Sequence, residues 1–418
     1  MRFSSSSLLL GLAALLPVGC SSSTSTPDGP IAQVDGAAGT DAGGGGPDAG
    51  LALRPLTPPT DPGAKGVLFT ASGEGFAKTG YSFPPDNLDD VHFVDGWEIR
   101  YDRILTTFDH VTLNENPDTD PGDESKMGAL VAEVDGPWVA DLHVGGTFDG
   151  KEGGPGEAAA FAALTGKNKA GGGAFDPTVR YAFSFDVVPA NPTAININLT
   201  AADLPEYQLM VDKGYTTLLV GTATWKGTTA TCVTTGAYDF TKIPTTIKFH
   251  LGFAAPTSYI NAQNPENTGA AFTGEESQRG IQVNASTSLI TQATFHIDHV
   301  FWESFVHDSP AHFDTFAAHY VGATGAPTVQ MEDFIGASVK PIKDKNGVAI
   351  PWRWCAPEPA GSQTGNLTLD TQGIQVVPGG DPTVFIRDFY DYTVYNHSTS
   401  GHLNADGLSF VKRHYPSP

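Results

Sequence analysis

Alternation of apolar and polar side chains at every second residue constrains this chain most. Ile247, Phe249, Leu251 and Phe253 alternate with Thr246, Lys248 and His250. Tyr181, Phe183, Phe185 and Val187 alternate with Ala182, Ser184 and Asp186, and Trp97, Ile99 and Tyr101 with Glu98, Arg100 and Asp102. Leu289, Thr291, Ala293, Phe295 and Ile297 face away from Gln292, Thr294, His296 and Asp298. A period of two places alternate side chains on opposite faces of an extended strand. With 48 glycines and 31 prolines breaking the runs at turns, the pattern predicts a mainly β protein. The expected body is an antiparallel β-sandwich with a few helical insertions.

Two helices stand out. Thr200 can cap a segment from Ala201 to Lys213, closed by Gly214. A second is expected from the Asp308-Ser309-Pro310 start, with Phe313, Phe316, Ala317 and Tyr320 at core spacing and an end near Gly322. Residues 65–418 are read as one β-rich body. If it has two lobes, the Asn-, Pro- and Gly-rich stretch Asn261–Gly274 divides them.

The amino end carries a different signal. Arg2 precedes an apolar run, Leu8 to Leu16, too short for the ~30 Å of hydrocarbon that about 20 residues span. Charge, apolar core and small residues before Cys20 have the layout of an export signal over residues 1–19. Leu16-Pro17-Val18-Gly19-Cys20 resembles the lipobox of bacterial lipoprotein precursors, with Pro17 in place of the usual Leu. The resemblance covers the first 21 residues. It implies cleavage before Cys20, lipidation of its sulfur and acylation of the new amino end with palmitate-like chains. Two or more acyl chains hold a protein on a bilayer stably. Ser21 after the cysteine implies the outer membrane, with the lipid bilayer as partner through Cys20.

Residues 20–64 read as a low-complexity linker. Ser21 to Thr26, Gly43 to Gly46 and scattered prolines bury too little to offset the entropy of ordering. Such a chain spans ~35–40 Å root-mean-square. The net charge of −23 argues against nucleic-acid binding, which needs a basic patch. Among the three cysteines, Cys232 and Cys355 remain after Cys20, and in an oxidising compartment they are expected to pair as a disulfide.

Functional vocabulary is densest from Phe295 to Tyr320, which holds five of the twelve histidines. If the chain turns helical after Asp298, His299, Glu303 and His307 recur at i, i+4 and i+8 on one stripe, with His296 close by. Imidazole and carboxylate together suit a divalent transition metal such as zinc or copper. His312 and His319 would share a stripe of the next helix. The histidines serve equally well as ordinary core and surface residues, because Phe301, Trp302 and Phe305 between them look like core. The acidic loop Asn116 to Glu124 has oxygen ligands of the kind calcium takes, but Pro121 and the missing twelfth-position Glu favour a plain solvated loop. Gly274 to Gly280 reads as an exposed polar turn. Trp352, Trp354 and Tyr392 are candidates for stacking on sugar rings. No nucleophile elbow or phosphate-cradling loop occurs.

Three functions are therefore weighed. The first is a non-enzymatic surface or periplasmic lipoprotein that binds an unknown ligand, metal ion or envelope protein. The second is an anchored metal-dependent hydrolase or oxidase using the same histidines. The third is a glycan-binding sandwich. Ligands converging in an open cleft favour the second over the first.

Overall fold

The 18-residue strand Trp97–Asn114 organises the fold. Its first half pairs with Thr217–Trp225, its middle with Trp138–Asp141, and its end with both Ala182–Val187 and Leu130–Val134. Register shifts at Tyr101/Arg103 and Asp109/Thr112 interrupt its pairing with Thr217–Trp225 and with Ala182–Val187. Thr246–Phe253 and Thr328–Gln330 extend the sheet on one side, and Thr257–Ile260 and Phe410–Arg413 on the other. A second, four-stranded sheet runs Gly401–Leu403, Leu289–Phe295, Val67–Ser72, Ala158–Leu164. These elements belong to a computed structural model that describes residues 50–87, 91–166, 171–269, 272–357 and 363–418.

The two sheets face one another through aromatic rings. Phe69 meets Phe183 at 5.9 Å between centroids, Phe161 meets Phe108 at 4.8 Å, and Phe295 meets Phe185 at 5.8 Å. The protein is thus mainly β with few helices, as the alternation predicts. The sheets are mixed rather than purely antiparallel, since Leu289–Phe295 runs parallel to Val67–Ser72 and Thr246–Phe253 parallel to Thr328–Gln330. Ile247, Phe249, Leu251 and Phe253 are all buried, and Lys248 between them is exposed.

Several boundaries move. The body begins before residue 65: Arg54–Pro55 pairs with Ile195–Asn196, and Leu51, Leu53 and Leu56 pack against buried residues. The linker up to residue 49, and Cys20 with it, lies outside the described residues. Residues 50–418 form one compact unit, and Asn261–Gly274 lies within it. The first helix starts at Leu204 rather than Ala201, because the Thr200 N–H and hydroxyl both donate to the Asp203 carboxylate and close a turn. It ends at Gly214 in the left-handed conformation, φ 70°. The second shrinks to Asp314–Ala317 with a 3₁₀ turn to Tyr320, because Ala311 is drawn into extended bridges with Phe93 and Trp302. An unforeseen helix, Phe389–His397, starts where the Asp388 side chain accepts from the Asp391 N–H.

The Cys232–Cys355 disulfide forms between directly paired strands, Cys232–Thr234 and Arg353–Cys355.

Candidate metal centre

The carboxyl ends of the parallel strands Val67–Ser72 and Leu289–Phe295 open side by side. His296 directly follows the second, and its N–H donates to the Ser400 carbonyl at 2.8 Å. His402, on the neighbouring Gly401–Leu403 strand, pairs opposite Thr294. A diagonal cross-strand position on the same face sets it beside His296, and their rings lie 4.1 Å apart between centroids. A 3₁₀ turn, Ile297–Phe301, then carries His299 to within 5.5 Å of His296 and 5.3 Å of His402. One donor atom from each of His296, His299 and His402 falls within 4.8 Å of the others.

His307 arrives by a route that helical spacing does not describe. The helix expected after Asp298 stops at Phe301, and Trp302 is already extended, ψ 144°. The chain then reverses: Glu303 N–H donates to the Pro310 carbonyl and His312 N–H to the Phe301 carbonyl. The returning loop sets the His307 ring 6.1 Å from His299 and 5.8 Å from His402.

Glu303 does not join them. Neighbouring side chains on extended backbone point to opposite sides. Trp302 stacks on His299 at 3.7 Å, while Glu303 turns away to hold His312 at 2.8 Å and Gln363 at 3.1 Å. Of the four residues expected at a metal site, His296, His299 and His307 come together and Glu303 is replaced by His402. His319 sits beside Phe334, away from the group.

The bonding of the imidazoles leaves ring nitrogens free to ligate. His299 Nδ1 meets the Thr399 hydroxyl at 2.8 Å, and its Nε2 is buried with no hydrogen-bond partner among the described residues. His307 Nδ1 lies 3.3 Å from Asp308, and its Nε2 is again buried and unpartnered. Neither ring nitrogen of His402 has a hydrogen bond of good geometry among the described residues, although backbone groups of Thr399 and Asp406 lie close enough to act on it. A buried polar atom without a partner costs about 1–3 kcal/mol, and here the Nε2 atoms of two adjoining rings, His299 and His307, bear it. Metal-bound histidines typically fix one nitrogen on an oxygen and ligate with the other, as His299 and His307 are arranged to do.

Electrostatics separate the members. Burial, reinforced by the neighbouring imidazoles, holds His299 and His402 well below the ordinary histidine range, so both stay neutral, the ligating form. Burial pulls His296 the same way. The Glu74 carboxylate 2.8 Å away overrides it and lifts His296 to about 10. Burial also lifts Glu74, to about 7. Asp406 lies 3.6 Å from the same His296 nitrogen. Glu74, Asp308 and Asn404 each adopt positive φ, at 65°, 60° and 59°. Left-handed backbone at non-glycine residues is costly and collects at functional sites.

A cavity of about 350 Å³ opens against His299, His307 and His402. The other candidates are absorbed elsewhere. In the acidic loop, the Asp120 carbonyl accepts from Arg279 at 2.8 Å, Asp118 pairs with Arg180, and the Pro117 and Glu124 carbonyls accept from Asn261. The Gly274–Gly280 turn is not plainly exposed, because Arg279 is fully buried against Glu275. Trp352, Trp354 and Tyr392 are at most 4% exposed, so they are core and present no platform for a sugar.

Sequence reasoning missed His402 and Glu74. No local spacing connects either to His296; only the long-range pairing of three strands does. The fold and the site together define a mainly β protein with a buried polyhistidine cluster at the mouth of a cleft. Comparison with known protein families, curated proteins and solved structures finds no match.

Proposed function

We propose that this chain is an extracytoplasmic lipoprotein, held on the outer membrane through Cys20, that binds a divalent transition metal such as zinc or copper. His296, His299 and His402 are the ligands, His296 once it has given up the proton that Glu74 holds on it, and His307 lines the cleft beside them. The observation that carries this reading is the convergence of His296, His299 and His402 donor atoms within 4.8 Å of one another, beside buried His299 and His307 nitrogens that find no partner among the described residues. Three imidazoles with an open fourth position are the ligand set of catalytic rather than structural zinc. The cleft on the histidines therefore favours a metal-dependent enzyme over a closed carrier. Metal analysis of the untagged protein extracted from membranes tests it: about one ion per chain is expected, and His299→Ala and His402→Ala should each abolish it. Protein without metal, and unable to take up zinc or copper at micromolar concentration, would rule the reading out.

A further inference from the structure

The acidic loop singled out in the sequence delivers Glu124 to the cleft. His299, His307 and His402 share the cavity wall with Glu124, Gln263 and Trp302. Glu124 is held in place from two sides. Its carboxylate accepts from Gln263 Nε2 at 2.8 Å, and its carbonyl accepts from Asn261 Nδ2 at 2.9 Å. Gln263 is anchored in turn, its side-chain oxygen accepting from the Glu276 and Ser277 N–H groups at 2.8 and 3.1 Å. A carboxylate has two oxygens and several acceptor sites, so the Gln263 bond orients Glu124 without exhausting it. Trp302, Phe305, Leu408 and Val411 give the rest of the cavity an apolar surface.

We propose that Glu124 is the general base of a hydrolytic reaction at the histidine site, acting on small esters or amides whose acyl group fits the apolar part of the cleft. This rests on the metal reading above. A bound zinc ion supplies Lewis acidity and lowers the pKa of water. Glu124 takes a proton from a water in the cleft as the water oxygen bonds to the acyl carbon. The tetrahedral adduct then collapses, the bond from carbon to the leaving oxygen or nitrogen breaks, and Glu124 returns the proton to that atom. One water is consumed, and an acid and an alcohol or amine are released. No oxidant is needed, which separates this reaction from the oxidase alternative. Burial raises the Glu124 carboxyl, against the Gln263 hydrogen bond; Glu275 adds to the rise and Arg279 opposes it. A base whose pKa approaches the working pH is the more effective one.

The test uses the full chain loaded with zinc. Wild type, Glu124→Gln, Glu124→Asp and His299→Ala are compared for zinc content, hydrolysis of p-nitrophenyl acetate and acetyl p-nitroanilide, and calorimetric binding of acetohydroxamate. Glu124→Gln should keep its zinc, lose about 100-fold or more in kcat and bind the hydroxamate about tenfold more weakly. Glu124→Asp should recover part of both, and His299→Ala should lose zinc and turnover together. Zinc-loaded wild type that hydrolyses neither probe, or a zinc-loaded Glu124→Gln or Glu124→Asp as active as wild type, would overturn the proposal and leave metal binding standing. Wild type that takes up neither zinc nor copper would overturn the metal reading itself, and wild type that takes up copper alone would overturn the zinc-dependent hydrolysis proposed here.

Discussion

His299 meets the Thr399 hydroxyl through Nδ1 at 2.8 Å and keeps a buried Nε2 with no hydrogen-bond partner among the described residues. The contact joins the 3₁₀ turn after one central strand to the turn that follows the Phe389–His397 helix. It fixes the orientation of an imidazole that the proposed metal site uses as a ligand. Thr399→Val should therefore lower zinc affinity about 10- to 100-fold without abolishing binding. Competition with a fluorescent chelator measures it; unchanged affinity would show that the hydroxyl plays no orienting part.

His402 stands beside His296 and His299 where sequence spacing places Glu303, and Glu303 bonds His312 instead. Glu303→Gln is expected to leave metal content intact and to destabilise the fold by about 1–3 kcal/mol, the cost of disturbing a buried hydrogen-bonded partner, here His312. His402→Ala is expected to do the opposite: metal is lost and the fold survives, since a ring with no hydrogen bond of good geometry among the described residues is removed. Metal content and denaturant midpoints, read on the same samples, separate the two.

That exchange marks how far the sequence was legible. The strand runs around Trp97, Tyr181, Ile247 and Leu289 were readable because alternation is local and sets burial directly. The histidine segment was readable as a cluster, and three of its proposed ligands do converge. The helix assumed to align them was not correct, because Val300, Phe301 and Trp302 pack into the core and release the chain into a reversal at Trp302. His402 was out of reach because its place depends on Gly401–Leu403 pairing with Ala293–Phe295, a contact between distant segments. The sequence starts the body at residue 65, too late, because Leu51, Leu53 and Leu56 stand singly among prolines and other residues, with no periodicity to show that they pack on the core.

The disulfide closes a span of 123 residues. In the chain-entropy model such a closure contributes about 4–5 kcal/mol. The Cys232→Ser/Cys355→Ser double variant should lose a stability of that order in urea or guanidinium titrations. A loss under about 1 kcal/mol would contradict the loop-entropy account.

His397 provides a pH test distinct from the metal. Burial alone lowers its pKa to about 3, and its ring stacks on Phe253 at 4.2 Å. Unfolded, the same group titrates near 6.5, so between these values the unfolded chain binds the extra proton. Stability from this residue is full above about pH 6.5 and is lost as pH falls, at about 1.4 kcal/mol per pH unit. The difference in unfolding free energy between wild type and His397→Gln should be flat above pH 7 and shrink steadily from pH 6 to 4. A difference independent of pH would show that His397 titrates normally in the fold.

Cys20→Ala tests the anchor. If Cys20 carries the lipid, the variant is released from membranes or accumulates with its signal uncut. A processed, acyl-labelled, membrane-bound variant would contradict that attachment.

The metal centre itself is tested most directly by X-ray absorption at the zinc or copper edge, on full-length protein purified without chelators. The expected spectrum has about three imidazole nitrogens at about 2.0–2.1 Å and loses its imidazole scattering in His299→Ala/His402→Ala. Protein that holds no metal, or a first shell without imidazole nitrogen, would contradict the assignment of His296, His299 and His402 as ligands.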